Sequence, residues 1–391
     1  MLSVGIFTYS SKPRGSVVHA ACLAEALQRK GAAVTLYALA KPGDEFYRPV
    51  SCALRLIPAA PAPSEVDALI RQRVAEFRRG IAGAAASHQI CHAEDCLAAN
   101  ALALSKPELG EARVVRTVHH VEHFESPYLT ACQERSVRAA DLVLSVSEVT
   151  RRDVQAAFGR SAPVISNGVD FERFTGLPSR TEQMLIGRLG LEPDETLILS
   201  VGGVEVRKNS LAALEALALA HARQPRFRWV IAGGASIWEH EAYRSAFAVR
   251  LAELPSDLQS RVVVLGTVSE AELTALYKRS QILLCPSLQE GFGLCVLEAM
   301  SANSAVVVPG GAPFDEYLDA ECAVFVDVRS PAAIASALSD LLCEPTARLR
   351  LAERGQARAR HYSWDLVAER HLARYETLLR RPQAFAEFEQ S

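Results

Sequence analysis

The chain has 391 residues, more than one hydrophobic core ordinarily organises, so two domains are expected. Charged residues at 22% and hydrophobics at 49% exclude a disordered chain, and a net charge of −3 excludes a general affinity for nucleic acid or acidic membranes. No apolar run reaches the ~18–20 residues that a membrane span requires. The opening MLSVGIFTYSSK lacks a charged start and a long apolar stretch, so it reads as a first strand and not as a signal peptide. Nine scattered cysteines, among them Cys22, Cys285 and Cys343 in apolar segments, read as reduced, buried thiols of a cytoplasmic protein. Cys91-His92 with Cys96 has no second pair of ligands and is not read as a zinc site.

In chain order, short β-like runs alternate with helical stretches. Strands are predicted at residues 4–7, 33–39, 89–92, 114–118 and 142–146, with helices over 16–29, 65–86, 95–104, 127–139 and 148–158. A turn-rich stretch, SAPVISNGVDFERFTG, interrupts this pattern, and Asn167-Gly168 is a strong turn signal. Strands resume at 197–201, 229–232, 262–266, 282–285, 305–308 and 323–327, and the last seventy residues are helical. Alternation of this kind implies two parallel sheets wrapped by helices, joined near residues 166–180.

Four stretches carry candidate chemistry. The central one is LLCPSLQEGFGLCVLEAMSA from Leu283: a strand, a turn through Glu290-Gly291-Phe292-Gly293, and a helix from Leu294. Such a joint aims backbone N–H groups and a helix dipole at one point, which favours an anion. Gly291 and Gly293 permit close backbone approach. Glu290 and Glu298 frame the turn and gain nothing from an anion, so they are expected to accept hydrogen bonds from hydroxyls attached to it. A diphosphate bearing a sugar on one side and a ribose on the other fits.

The second stretch is Gly202-Gly203-Val204-Glu205-Val206-Arg207-Lys208-Asn209, which follows a strand and places two adjacent cations where α/β sheets bind ligands. The third, Ser11 to Ser16, is a small-residue turn opening a helix at Gly15, with Arg14 beside it. In the fourth, strand Val114–Val118 runs into His119, His120 and His123. No D-x-D sequence occurs, so the carboxylate pair that usually holds a diphosphate-bound Mg²⁺ is absent and no required metal is expected.

Glu290 to Glu298, E-G-F-G-L-C-V-L-E, resembles the E-x7-E signature of the family-4 retaining glycosyltransferases of GT-B architecture. The resemblance extends from Val4 to about Leu379. It implies two Rossmann-like, doubly wound domains facing a cleft: an acceptor-side domain over 1–170 and a donor domain over 171–363. The terminal helix, within 364–391, would cross back to the first domain. By the same likeness Glu290 meets the donor sugar, Glu298 meets the ribose, and the amides of Gly291, Phe292, Gly293 and Leu294 hold the diphosphate. Arg207 and Lys208 match the family's phosphate loop, although Gly203 stands where many members carry Arg, with Arg14 a candidate replacement. Gly15 matches a glycine approached by donor phosphates. Gly266-Thr267-Val268 resembles the loop that frames the nucleobase.

Thr117-Val118-His119 resembles the family's T-x-H, whose histidine lies near the reacting sugar, and His120 replaces a usual Asp. His92-Ala93-Glu94-Asp95 resembles a segment beside the acceptor. The implied activity is hexosyl transfer, with retention, from a UDP- or GDP-sugar to an unidentified sugar, lipid or small-molecule acceptor. His119, Glu290, Lys208 and Arg207 would be the catalytic residues. A sugar-nucleotide epimerase or a catalytically silent sugar-nucleotide binder are the rival readings. A nicotinamide dehydrogenase is disfavoured because Val4 to Tyr9 lacks G-x-G-x-x-G. The run Arg71 to Arg79 suits a solvated helix face, or transient membrane contact.

Overall fold

A computed structural model describes residues 1–176, 179–192, 194–222, 226–234 and 241–381. The chain forms two compact units, Met1–Asn167 with Trp364–Ser391, and Gly168–Ser363. The part of the expected terminal segment beyond residue 381 lies outside the described residues.

In unit 1 the strands are β1 (Ser3–Thr8), β2 (Ala33–Ala40), β3 (Ala53–Pro58), β4 (Ile90–Ala93), β5 (Arg113–Val118) and β6 (Leu142–Ser145). Its helices are α1 (Gly15–Arg29), α2 (Val66–Ile81), α3 (Cys96–Leu104), α4 (Pro127–Arg138) and α5 (Glu148–Phe158). Unit 2 contains α6 (Arg180–Leu189), β7 (Thr196–Val201), α7 (Ser210–His221), β8 (Phe227–Ala232), α8 (Glu241–Ala252), α9 (Ser256–Gln259), β9 (Val262–Gly266) and α10 (Glu270–Arg279). It continues with β10 (Ile282–Leu284), α11 (Leu294–Ser301), β11 (Ala305–Pro309), β12 (Val324–Val326), α12 (Pro331–Cys343) and α13 (Pro345–Ala359). Helix α14 (Trp364–Leu379) returns to unit 1.

Each unit has one six-stranded, all-parallel sheet, ordered β3-β2-β1-β4-β5-β6 and β12-β11-β10-β7-β8-β9. The order 3-2-1-4-5-6 is that of a Rossmann fold, and ligands bind such sheets outside the C-terminal ends of the strands. Strands buried on both faces read as continuous apolar runs, as in β10 and β11, because helices cover each side. In unit 2, Trp229 is buried and its Nε1 donates to Ser200 Oγ at 3.0 Å, while Ser200 Oγ donates to Leu284 O, so its one polar atom is satisfied inside the core.

Three expectations change. The sequence pattern does not announce β3, an edge strand exposed at every position but Ile57, where no apolar alternation is required. Helix α2 stops at Ile81 rather than near 86, because Gly83 takes φ +72° and the chain leaves the helical path. None of the nine cysteines forms a disulfide, but Cys22 and Cys96 are only half-buried and Cys343 is exposed rather than buried.

In unit 1, α14 lies on α1. Arg29 pairs with Asp365 at 2.7 Å and Lys30 with Glu369 at 2.7 Å, over an apolar seam in which Trp364, Val367, Ala368 and Tyr375 are buried. The ion pairs are solvent-exposed and contribute little, so burial of that seam is what holds the helix.

Candidate functional site

Strands β7 and β10 are neighbours in unit 2, so the loops that follow them emerge side by side. The backbone ties them, with Leu288 N donating to Arg207 O at 2.8 Å. Across this junction Lys208 Nζ lies 2.7 Å and Arg207 Nη1 3.1 Å from Glu290 Oε1, which also accepts from Ser287 Oγ at 2.8 Å. Arg207 Nη1 further donates to Gln289 O at 3.2 Å. Burial alone would raise the carboxyl of Glu290; Lys208 and Arg207 outweigh it and bring it down to about 2. The same pairing raises Lys208 against the pull of its own desolvation. Sequence reasoning put Glu290 on sugar hydroxyls and the cations on phosphate; the structure pairs these three side chains with one another.

The glycines explain how the loops come so close. Gly202 (φ +128°) lies against the Lys208 stem, where a Cβ would meet Cε at 2.2 Å. Gly203 (φ +81°) packs on the backbone of the loop after β8, and a Cβ there would sit 3.0 Å from the carbonyl oxygens of Gly233 and Gly234. That loop in turn meets the one after β9: Gly233 N donates to Gly266 O at 2.8 Å, and a Cβ on Gly234 would strike Thr267 Oγ1. Val268 is thereby brought, half-buried, to the same sheet edge. An Arg at Gly203 would require both a left-handed backbone and a displaced neighbouring loop, which accounts for its absence here.

Helix α11 begins after Gly293, whose φ of +92° lets the chain turn from loop to helix, and whose Cβ would meet the Phe314 ring at 2.6 Å. No side chain caps this helix, so its first amides depend on solvent or ligand. Gly291 takes no left-handed φ, so the conformational need falls on Gly293 alone. Phe292 is buried and stacks on Tyr317 at 4.6 Å, with Tyr317 Oη donating to Phe292 O, so only its backbone is available to a ligand. Leu294 is half-buried at the helix start. Glu298 Oε2 accepts from Tyr277 Oη of α10 at 2.7 Å, and burial raises its carboxyl while Arg173 pulls the other way. Tyr277 did not stand out in the sequence, being a helix residue in another segment; Ser287, in the Pro286-Ser287 pair just before the signature, had no role assigned to it.

In unit 1, Gly15 opens α1 without a left-handed φ, and a Cβ there would meet nothing within 4 Å. His119 follows β5 and turns inward, its Nε2 3.0 Å from Glu94 Oε2. Burial lowers His119 to about 4 although Glu94 opposes the shift. His120 pairs with Glu122 at 2.8 Å in an exposed position, and His123 is exposed. His92 is fully buried, bonded through Nδ1 to Tyr375 Oη and through Nε2 to Thr117 Oγ1. Cys91 and Cys96 instead meet Ala85 O and the Asn100 amide, so the three do not converge.

Two family profiles match this chain: glycosyl transferases group 1 over residues 183–358, and glycosyltransferase family 4 over 13–173. The chain belongs to the family-4 glycosyltransferases. A D-inositol 3-phosphate glycosyltransferase from Xylanimonas cellulosilytica is 31% identical over 263 residues, 64% of this chain and 60% of that protein. The chain thus spans less than two thirds of the length of the first such relatives. Among solved structures, sucrose-phosphate synthase from Thermosynechococcus elongatus superposes with a TM-score of 0.78 at 20% identity, covering 97% of this chain and 99% of that one. Anabaena HepE in complex with UDP-glucose gives 0.77 at 18%, covering 96% and 100%. Two Rossmann-like units with this strand order make the family-4 member a GT-B protein. Among the described residues no helix is long and apolar enough to cross a membrane.

Proposed function

We propose that this family-4 protein transfers a hexose, with retention of anomeric configuration, from a nucleoside-diphosphate sugar to an acceptor. The observation that carries the reading is the convergence of Arg207, Lys208 and Glu290 with the uncapped start of α11 at the edge of adjacent parallel strands. As the glycosidic bond breaks, negative charge grows on the diphosphate and the anomeric carbon becomes cation-like. Lys208, Arg207 and the amides from Gly291 to Leu294 stabilise the departing charge, a task for which fixed donors are typically worth about 10²–10³ in rate each. With no D-x-D pair, these groups replace a divalent cation on the diphosphate. Glu290 engages the hexose once the diphosphate draws the two cations, and Glu298, held by Tyr277, takes the ribose.

The leaving phosphate assists deprotonation of the acceptor on the same face. His119 orients the sugar and is not an obligatory base, since its Nε2 is committed to Glu94. Gly15 and Val268 approach the phosphates and the nucleobase respectively. Nine cysteines without a disulfide fit a reducing, cytoplasmic setting. A UDP-sugar donor is supported by the HepE complex, and GDP-sugars remain the comparison set.

A panel of UDP- and GDP-hexoses, screened by thermal shift and then by product analysis, tests the proposal. The expected result is stabilisation by one nucleotide sugar, followed by slow release of free hexose of retained configuration. Conversion of the donor into an isomeric nucleotide sugar would assign an epimerase; stabilisation without turnover would assign a silent binder.

A further inference from the structure

Beneath the C-terminal edge of the unit 1 sheet, His19 on α1, Glu94 after β4 and His119 after β5 turn their side chains to one point. Glu94 Oε2 lies 2.9 Å from His19 Nδ1 and 3.0 Å from His119 Nε2, and the three ligand atoms all lie within 4.8 Å of one another. His19 and Glu94 are fully buried, whereas the His119 side chain retains 15% of its exposure and marks the way in. Among the described residues, His19 Nε2, Glu94 Oε1 and His371 Nε2 are buried without a hydrogen-bond partner. Three unsatisfied polar atoms in one buried cluster are unusual, because each leaves a desolvation cost unmet. An ion coordinated there removes much of that cost, and it also compensates a carboxylate whose nearest partners are imidazoles.

We propose that His19, Glu94 and His119 bind one divalent first-row transition cation, with zinc as the ion of first choice. Two imidazoles and a carboxylate form a donor set that suits zinc at bond lengths of about 2.0–2.2 Å, which at tetrahedral angles separates ligand atoms by about 3.3 Å. The two approaches to Glu94 Oε2 are close to that spacing. A fourth position is open to water. His92, with Nε2 3.6 Å from Glu94 Oε1, and held by Tyr375 and Thr117, backs the carboxylate as an outer-shell partner. The sequence led us to expect no metal in this protein, so the proposed site departs from that expectation; it does not depend on the transferase reading.

The test uses the full chain, purified from zinc-supplemented medium, passed over chelating resin and analysed for zinc by mass spectrometry, with no donor or acceptor present. The expected result is one retained equivalent and a higher melting midpoint on adding zinc chloride. Glu94→Gln and His19→Asn should each lower retained zinc at least tenfold, while exposed His120→Ala leaves it unchanged. Should Glu94→Gln not fold, His119→Asn carries the same comparison. Cobalt added to folded wild-type protein should give d–d absorption without any variant. A folded wild-type chain with less than a tenth of an equivalent and no cobalt band, or a folded Glu94→Gln variant that keeps the full equivalent, overturns the proposal.

Discussion

Lys208 is a buried ammonium on a loop whose glycine leaves room for its stem, so its charge is fixed in place and not free to relax into water. In the proposed reading this makes it effective toward a developing diphosphate charge, and the pairing makes Glu290 depend on it. Replacement by Met keeps the stem and removes the charge. Transfer should fall by about 10²–10³, read as kcat/KM with the matched donor. A second readout is acid stability. Glu290 titrates at about 2 in the fold against 4.5 as the reference. Its stabilising contribution is therefore present above pH 4.5 and is lost as pH falls from 4.5 toward 2. In Lys208→Met that contribution shrinks, so the stability gap to wild type should be widest at neutral pH and should close over that acid window in urea titrations. A gap independent of pH would mean that Lys208 supports the fold by packing alone.

At the scale of elements, glycines that look alike in the sequence divide sharply once their surroundings are known. Gly203 holds a left-handed φ against a neighbouring loop, so Gly203→Ala should cost about 1–3 kcal/mol, visible as a lower urea midpoint with unchanged slope. Gly15 opens a helix in ordinary conformation with open space beside it, so Gly15→Ala should leave stability unchanged or raise it by about 0.4–1 kcal/mol. Any loss of activity in that variant would then report ligand approach. Equal destabilisation by both changes would contradict the backbone assignment. The contrast also shows what the sequence made legible. The strand–loop–helix joints at Gly202–Asn209 and Glu290–Leu294 are contiguous, and a parallel sheet delivers both to one edge whatever the detailed packing. By contrast, Tyr277 on Glu298, and His19 with Glu94 and His119, are pairings between separate elements. Nothing in local periodicity specifies which side chains will meet, and His19 in particular sits in a helix that reads as plain amphipathic core. Strand β3 escaped for the opposite reason: an exposed edge needs no apolar pattern.

For the whole molecule, chain order and domain membership diverge, since the last described helix belongs with the first unit. Helix α14 buries Trp364, Val367, Ala368, His371, Tyr375 and Leu378 in unit 1. Burying a large apolar side chain is worth about 1.5–3 kcal/mol, while a whole domain is stable by only about 5–15 kcal/mol. Removing residues 364–391 therefore withdraws burial comparable to the entire stability of that unit. Unit 2 closes its own sheet without α14, and in the proposed reading it carries Arg207, Lys208, Glu290 and Glu298. The truncated chain should thus show unit 1 sensitive to protease within Met1–Asn167, while Gly168–Ser363 resists digestion. Calorimetry with the free nucleoside diphosphate should still detect binding, within about tenfold of the full-length affinity. Protection of both segments would show that the α1–α14 seam contributes less than its burial indicates. Loss of nucleotide binding with unit 2 intact would move an essential part of the donor site into unit 1.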